Sequence, residues 1–124
     1  MSLLDLHVAV AWVVIVGNAV AGLWALAADR WVPLRVPALW WLTIAAEVLI
    51  FVEAGLGVGL DAGLGRDAPS FHVFYGFVAI IAVGILYSYR STSAWVRERI
   101  YLVYGLGGLF VMGLAIRALT LSSP

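Results

Sequence analysis

Four long apolar segments, separated by three short polar ones, dominate the pattern of residues along the chain. The apolar segments cover about residues 3–28, 38–60, 69–89 and 100–121, and the connections cover residues 29–37, 61–68 and 90–99. Each apolar segment provides the roughly 20 residues that a helix needs to cross a hydrocarbon core of about 30 Å. Because the connections are short, neighbouring helices must run antiparallel. The pattern predicts an all-α integral membrane protein, a single domain built as an antiparallel bundle of four transmembrane helices.

The composition also favours a membrane protein over a water-soluble one. Hydrophobic residues make up 65% of the chain and charged residues 11%, whereas a soluble domain carries about a quarter charged residues. A soluble fold of 124 residues cannot cover so much apolar surface in one core. The formal net charge is zero and no basic run is present, so no nucleic-acid partner is expected. The chain has no cysteine, which excludes disulfides, thiolate metal sites and iron–sulfur clusters.

The arginines predict how the bundle is oriented in the membrane. The first and third connections together hold five arginines, whereas the second connection holds one, Arg66. By the positive-inside rule, the first and third connections are cytoplasmic. Both termini then lie outside the cytoplasm. All seven basic residues are arginine, which fits a bacterial protein and hence a bacterial cytoplasmic membrane.

Glycines are frequent in the second and fourth spans. Small residues let transmembrane helices approach closely, so we interpret these glycines as packing contacts. The glycines concerned are Gly55, Gly57, Gly59, Gly105, Gly107, Gly108 and Gly113. The chain contains no dinucleotide fingerprint, phosphate loop, metalloprotease motif or nucleophile elbow. Whether the protein is an enzyme therefore stays open, and a stand-alone enzyme is not expected.

The two histidines of the chain lie in segments that resemble each other. At an offset of 65 residues, segment 6–13 aligns with segment 71–78, so that His7 matches His72, and small and aromatic residues match as well. An ancient duplication of a helical hairpin would explain the match, and so would chance similarity between two apolar segments.

Both histidines are predicted to lie at the same depth. Ser2 and Asp67 are good N-cap residues, each five positions before its histidine, and Ser2-x-x-Asp5 has the spacing of a capping box. Spans one and three run in the same direction and are the usual diagonal partners in a bundle of this connectivity. We therefore expect His7 and His72 to face each other across the bundle, near the outer side of the membrane.

Two histidines on facing helices are the arrangement that axial ligation of a haem iron requires. Ala11 and Gly76 lie four residues after the histidines, one turn along the same face, where a small residue leaves space for a flat macrocycle. His-x-x-x-Gly at His72–Gly76, and more loosely His7–Ala11, resembles the ligand helices of bacterial b-type membrane cytochromes, which are four-helix bundles with haem between parallel helices. The resemblance implies one haem b whose iron takes His7 and His72 as axial ligands. Those cytochromes usually place their ligands deeper and often bind two haems, whereas a single, shallow site is expected here.

Other roles for the histidines stay open. Each ring can sit at the membrane interface with its polar edge among the headgroups. A divalent metal or a hydrogen bond to a quinone is a further alternative. Two imidazoles alone make a poor zinc site, which usually takes three or four ligands, although Glu53 can add a third.

Three ionisable residues, Glu47, Glu53 and Arg117, fall within the predicted spans, where charge is costly and usually faces the bundle interior. Glu53 and Arg117 come out at similar depth in the outer third, so a salt bridge that fixes helix register is one expectation. Arg117 can instead hold a haem propionate. Glu47 is deeper, level with Asn18, and is expected either to be a neutral acid bonded to Asn18 or a backbone carbonyl, or to couple transport to protons or cations.

Three functions from different classes follow from these residues. The sharpest hypothesis is a haem-binding protein for electron transfer or haem handling. The second is a small oligomeric transporter or channel that uses Glu47. In length and number of spans the chain resembles the small multidrug-resistance transporters, although their acidic residue lies in the first span. The third is a non-catalytic accessory subunit. The expected partners are the lipid bilayer and either further copies of the chain or a larger membrane complex.

Overall fold

A computed structural model confirms the predicted class: the chain folds into helices, four of which are long and apolar enough to cross a membrane. The structure describes residues 2–60 and 70–121. The helices are α1 (Leu3–Arg30), α2 (Pro37–Val58), α3 (Ser70–Thr92), the short α4 (Ala94–Glu98) and α5 (Ile100–Thr120), with a 3₁₀ turn at Val32–Leu34 between α1 and α2. The four predicted spans thus correspond to α1, α2, α3 and α5.

Helix α1 begins at the capping box that the sequence predicts. The Ser2 hydroxyl accepts a hydrogen bond from the Asp5 N–H at 3.1 Å, and the Asp5 carboxylate accepts one from the Ser2 N–H at 3.1 Å. Two of the N–H groups that a helix start leaves unpaired are satisfied in this way. Asp67, the predicted N-cap before the third span, lies outside the described residues.

The connection between the last two spans is more helical than the pattern of polar residues indicates. Helix α3 continues past the predicted boundary at residue 89 to Thr92. Ser93 then caps α4, because its hydroxyl accepts a hydrogen bond from the Val96 N–H at 3.3 Å. Polar side chains mark where the chain leaves the hydrocarbon, but they do not prevent a helix from continuing into the headgroup region.

Helix α1 is the main packing partner in the bundle. It packs most extensively against α5 and then against α2, while α5 also packs against α3. Helices α2 and α3 touch over a much smaller surface. Helices α1 and α3 therefore occupy one diagonal and α2 and α5 the other, as predicted for spans one and three.

Each long helix contributes one buried residue to the centre of the bundle. These residues form a cluster in which each is 1–4% exposed: Val14, Ile50, Val83 and Val111. Outward-facing side chains are apolar as well, and Trp12, Leu23 and Phe77 are 54%, 59% and 61% exposed. An apolar exterior around an apolar core is what a bilayer solvates.

Glycines bring the backbones of α1 and α5 into direct contact. A Cβ atom added to Gly105 would lie 2.6 Å from the Leu26 side chain and 2.9 Å from the Leu26 backbone nitrogen. A Cβ atom added to Gly108 would lie 3.1 Å from the Cα atom of Gly22. The predicted packing role is therefore confirmed for Gly105 and Gly108. It is wrong for Gly55 and Gly113, each of which faces open space and would gain no neighbour within 4 Å from an added Cβ atom.

Replacing Gly105 by alanine is expected to destabilise the bundle, because the new methyl group overlaps Leu26 and part of the overlap is with backbone. The free energy of unfolding should fall by about 1–3 kcal/mol, as for other overpacked cores. Unfolding in mixed micelles with rising SDS, followed by circular dichroism, measures the change.

The matched control is Gly113→Ala, which adds the same methyl group to the same helix where no atom lies within 4 Å. Alanine favours helix over glycine by about 1 kcal/mol, so this variant should be neutral or slightly stabilised. Equal losses in the two variants would contradict the close contact between α1 and α5.

Candidate functional site

The two histidines lie side by side at the end of the bundle where α1 begins. His7 lies in the second turn of α1 and His72 in the first turn of α3. Their ring centroids are 6.0 Å apart and the ring planes make an angle of 79°. Both residues are half-buried. The predicted meeting of His7 and His72 across the diagonal is thus found.

Glu53 on α2 is the ionic partner of His7. Its Oε1 atom lies 2.8 Å from Nδ1 of His7, and the two side chains are 18% and 14% exposed. The distance suits a hydrogen bond, but the ring is not turned to make that bond linear, and neither His7 Nδ1 nor Glu53 Oε2 has an aligned partner among the described residues. The contact is therefore a short electrostatic one. It still directs a carboxylate at one nitrogen of the imidazole.

The salt bridge expected between Glu53 and Arg117 is not formed. Helix α1 packs directly against α2, whereas α5 lies across the diagonal from α2, so His7 is the residue within reach of Glu53. Arg117 is exposed, and its guanidinium carbon lies 5.9 Å from the ring centroid of Tyr75 on α3.

His72 bonds to the end of α5. Its Nδ1 atom lies 2.6 Å from the backbone oxygen of Ala118. That carbonyl is among the last four of α5, which have no partner inside the helix. A carbonyl oxygen only accepts hydrogen bonds, so Nδ1 of His72 carries the proton and Nε2 of the neutral ring keeps its lone pair. The contact fixes both the tautomer and the orientation of the ring.

Nδ1 of His72 therefore bonds to a carbonyl oxygen and Nδ1 of His7 lies 2.8 Å from a carboxyl oxygen, which leaves Nε2 as the remaining nitrogen of each ring. Histidines that bind metals almost always use their second nitrogen in this way, toward a carboxylate or a backbone carbonyl. Two metal–nitrogen bonds of about 2.0 Å, together with the ring radii, place the centroids of two trans imidazoles about 6 Å apart. The observed separation of 6.0 Å is of this size, and Cε1 and Nε2 of His7 lie on the side of the ring that faces Gly57 of α2.

Gly57 is a site residue that the sequence analysis interpreted only as helix packing. A Cβ atom added to it would lie 3.3 Å from Cε1 and 3.9 Å from Nε2 of His7. The absent side chain is what allows the imidazole to lie against α2. Gly57 follows Glu53 by four residues, one turn along the same face, and that spacing is the signal by which sequence reasoning can associate it with His7.

Of the two small residues predicted beside the histidines, Gly76 faces open space. Gly76 would meet no atom within 4 Å of an added Cβ atom. Ala11 is half-buried on α1, one turn after His7. Both positions are compatible with the expected space for a macrocycle.

Asn18 and Glu47 are not part of this cluster. The Asn18 side-chain amide donates to the Val14 carbonyl of its own helix at 2.9 Å, so it is not bonded to Glu47, contrary to one expectation. Glu47 is half-buried on α2 and lines a shallow groove beside Gly84 and Tyr87 of α3.

Few side chains at the histidine pair can serve as metal ligands. Within residues 2–60 and 70–121, no group of three or more His, Asp and Glu side chains is placed to hold a metal ion. Two imidazoles suit a metal that brings its own equatorial ligands, as a haem iron does. Comparison with protein-family models, with curated proteins and with solved structures gave no match to the chain.

In the haem-free protein, both neutral imidazoles are expected to be protonated at Nδ1, because each Nδ1 atom faces an oxygen acceptor. Nitrogen-15 NMR of the rings in nanodiscs, at neutral to alkaline pH, measures the tautomer directly. In Glu53→Ala, the tautomer preference of His7 should be lost while that of His72 persists, since the Ala118 carbonyl is unchanged. Nε2–H tautomers in both wild-type rings would show that Nε2 is not the nitrogen left for a ligand.

Proposed function

We propose that the protein binds one haem b between α1 and α3, with Nε2 of His7 and Nε2 of His72 as axial ligands, and that it serves electron transfer or haem handling in a membrane. One observation supports the proposal most: the two imidazole rings lie with their centroids 6.0 Å apart, and Nδ1 of each ring lies within 2.8 Å of an oxygen atom. The haem would supply four equatorial nitrogens and a metal that changes oxidation state.

The geometry favours haem over the other roles considered for the histidines. Zinc usually takes three or four protein ligands, and only two imidazoles converge here among the described residues. A histidine that merely reaches the headgroups needs no fixed ring. His7 and His72 are instead half-buried and held by Glu53 and Ala118.

Glu53 would tune the haem through His7. A carboxylate beside Nδ1 makes the opposite nitrogen a stronger donor, which favours the ferric over the ferrous state. The Ala118 carbonyl beside His72 carries no full charge and has a weaker effect. The two axial ligands would therefore differ in donor strength, and Glu53 would set the difference.

Arg117 would hold a propionate of the haem. It lies one position before Ala118, whose carbonyl bonds His72, so its cation stands at the same end of the bundle as the two imidazoles. Its only described aromatic contact is the Tyr75 ring at 5.9 Å, which leaves the guanidinium able to pair with a carboxylate.

The site lies at the end of the bundle opposite the five arginines of the first and third connections. With the orientation that those arginines predict, the haem would lie near the outer face of a bacterial cytoplasmic membrane, with both chain termini outside. A transporter based on Glu47 has less support, because Glu47 lines a groove at the outer surface of the bundle rather than a path through it.

Protein expressed with ample haem and purified in mild detergent should show a Soret band and sharp reduced α and β bands. His7→Ala and His72→Ala should each lose these low-spin bands, because each removes one axial ligand. Absorption spectra of the oxidised and dithionite-reduced forms measure the effect.

Arg117→Ala should release haem about tenfold more readily, as expected for the loss of one charge-assisted contact, whereas Arg97→Ala at the opposite end should not. A colourless wild-type protein would contradict the proposal.

Glu53→Gln is expected to raise the midpoint potential of the bound haem by about 60 mV, which corresponds to a tenfold loss of the preference for the ferric state. Potentiometric titration followed by absorbance measures the shift. The matched control is Glu98→Gln, since Glu98 is exposed on α4 at the other end of the bundle. An equal midpoint potential in the two variants would show that Glu53 does not act on the haem. That result would leave the assignment of His7 and His72 as axial ligands unchanged.

A further inference from the structure

A shallow groove runs between α2 and α3, the two adjacent helices that touch least. It has a volume of about 360 Å³, and its walls include Ile44, Val48 and Phe51 of α2 and Gly84 and Tyr87 of α3. Phe51 is 52% exposed and Tyr87 68% exposed, so the groove opens to the outside of the bundle. In a membrane this surface faces lipid or another protein.

Glu47 contributes the ionisable group of this groove. It lies ten residues after the start of α2 and eleven before its end, at the middle of the span. Among the described residues, its carboxyl group takes part in no ion pair. Arg90 acts on it electrostatically, but the Arg90 guanidinium lies over the Trp40 ring, 4.8 Å from its centroid. A polar group without a partner in hydrocarbon is costly, and a charged one is more so.

We infer that this groove is the interface of a homodimer in which the Glu47 carboxyl groups of two copies hydrogen-bond to each other. A neutral carboxyl group carries one donor and free acceptor sites, so it is complementary to itself. A two-fold axis that passes close to Glu47 brings this residue of both copies together. The pairing satisfies a mid-membrane polar group that makes no hydrogen bond or ion pair within the described part of one chain.

The shape of the groove fits the same partner. A Cβ atom added to Gly84 would meet no atom within 4 Å, so a second backbone can approach α3 closely at this point. The walls on either side are apolar, so the same walls of a second copy can pack against them. A second copy thus supplies both a carboxyl group that can bond to Glu47 and apolar side chains that can cover the groove.

This interface is independent of the haem proposal. Glu47 precedes Glu53 by six residues, which separates the groove from the histidine site by about 9 Å along α2. The dimer can be examined in protein without haem, and the His7→Ala variant should still form it.

The absence of cysteine allows a direct test by site-specific cross-linking. In nanodiscs or liposomes treated with a membrane-permeant oxidant, Val48→Cys should form a disulfide-linked dimer. Phe110→Cys is the matched control, since Phe110 is equally exposed near the middle of α5, away from the groove (56% against 53% for Val48). Both variants keep Glu47, and both substitutions are at exposed positions outside the buried core.

Substitutions at Glu47 and at Gly84 then test separately the hydrogen bond between the carboxyl groups and the close packing in the groove. Glu47→Leu should weaken dimerisation in liposomes about tenfold, as expected for the loss of interhelical hydrogen bonds. Glu47→Gln should stay within about threefold of wild type, because a carboxamide also donates and accepts. Gly84→Leu should abolish the dimer, whereas Gly113→Leu, at a glycine with equally open space on α5, should not. Energy transfer between labelled copies, measured over a range of protein-to-lipid ratios, gives the affinity.

Three results would overturn the inference. The first is a protein that stays monomeric at every protein-to-lipid ratio. A monomer whose groove is occupied by a lipid-soluble molecule or by an unrelated helix counts as this result. The second is cross-linking through position 110 that equals or exceeds that through position 48. The third is a dimer that Gly84→Leu leaves unchanged.

Discussion

A polar atom inside the hydrocarbon of a bilayer has no water to bond, so its partner must come from the protein. This constraint explains most of the polar contacts within the spans. Asn18 and Thr43 bond to carbonyls one turn earlier in their own helices, at 2.9 Å each. The Tyr104 hydroxyl donates from α5 to the Leu86 carbonyl of α3 at 3.3 Å. Residues satisfied in this way stabilise the bundle, and nothing about them calls for a ligand.

The histidine pair meets the same constraint only in part. Nδ1 of His7 lies beside the Glu53 carboxyl group, and Nδ1 of His72 bonds to the Ala118 carbonyl. These four residues come from α1, α2, α3 and α5. The arrangement depends on the packing order, in which α5 contacts both α1 and α3 while α1 contacts α2. Glycines on α1 and α5 make the contact between these two helices close. The second nitrogen of each ring remains, and the proposed haem iron would be its partner.

The spans, the capping box and the depth of the histidines could be predicted from the sequence because each is local. Apolar length defines a span, a three-residue spacing defines the cap, and counting residues from a helix start gives depth. The partner of Glu53 could not be predicted in this way. Depth alone placed Arg117 level with Glu53, but the rotation of each helix decides which side chain is within reach, and rotation follows from packing.

The glycines show the same limit. Gly105 and Gly57 have similar surroundings in the sequence, yet one lies against Leu26 and the other against the His7 ring. Gly113 lies in the same glycine-rich segment as Gly105 and touches nothing within 4 Å of an added Cβ atom. A glycine in a span predicts that a close approach is available there, and only the neighbouring helix decides whether the approach is used.

Electron paramagnetic resonance of the haem-titrated ferric protein tests the central claim most directly. Two imidazole ligands with the near-perpendicular planes found here, at 79°, should give a low-spin signal of strong anisotropy that disappears when either histidine is replaced. A high-spin signal, or haem that remains free in the membrane, would contradict ligation by His7 and His72.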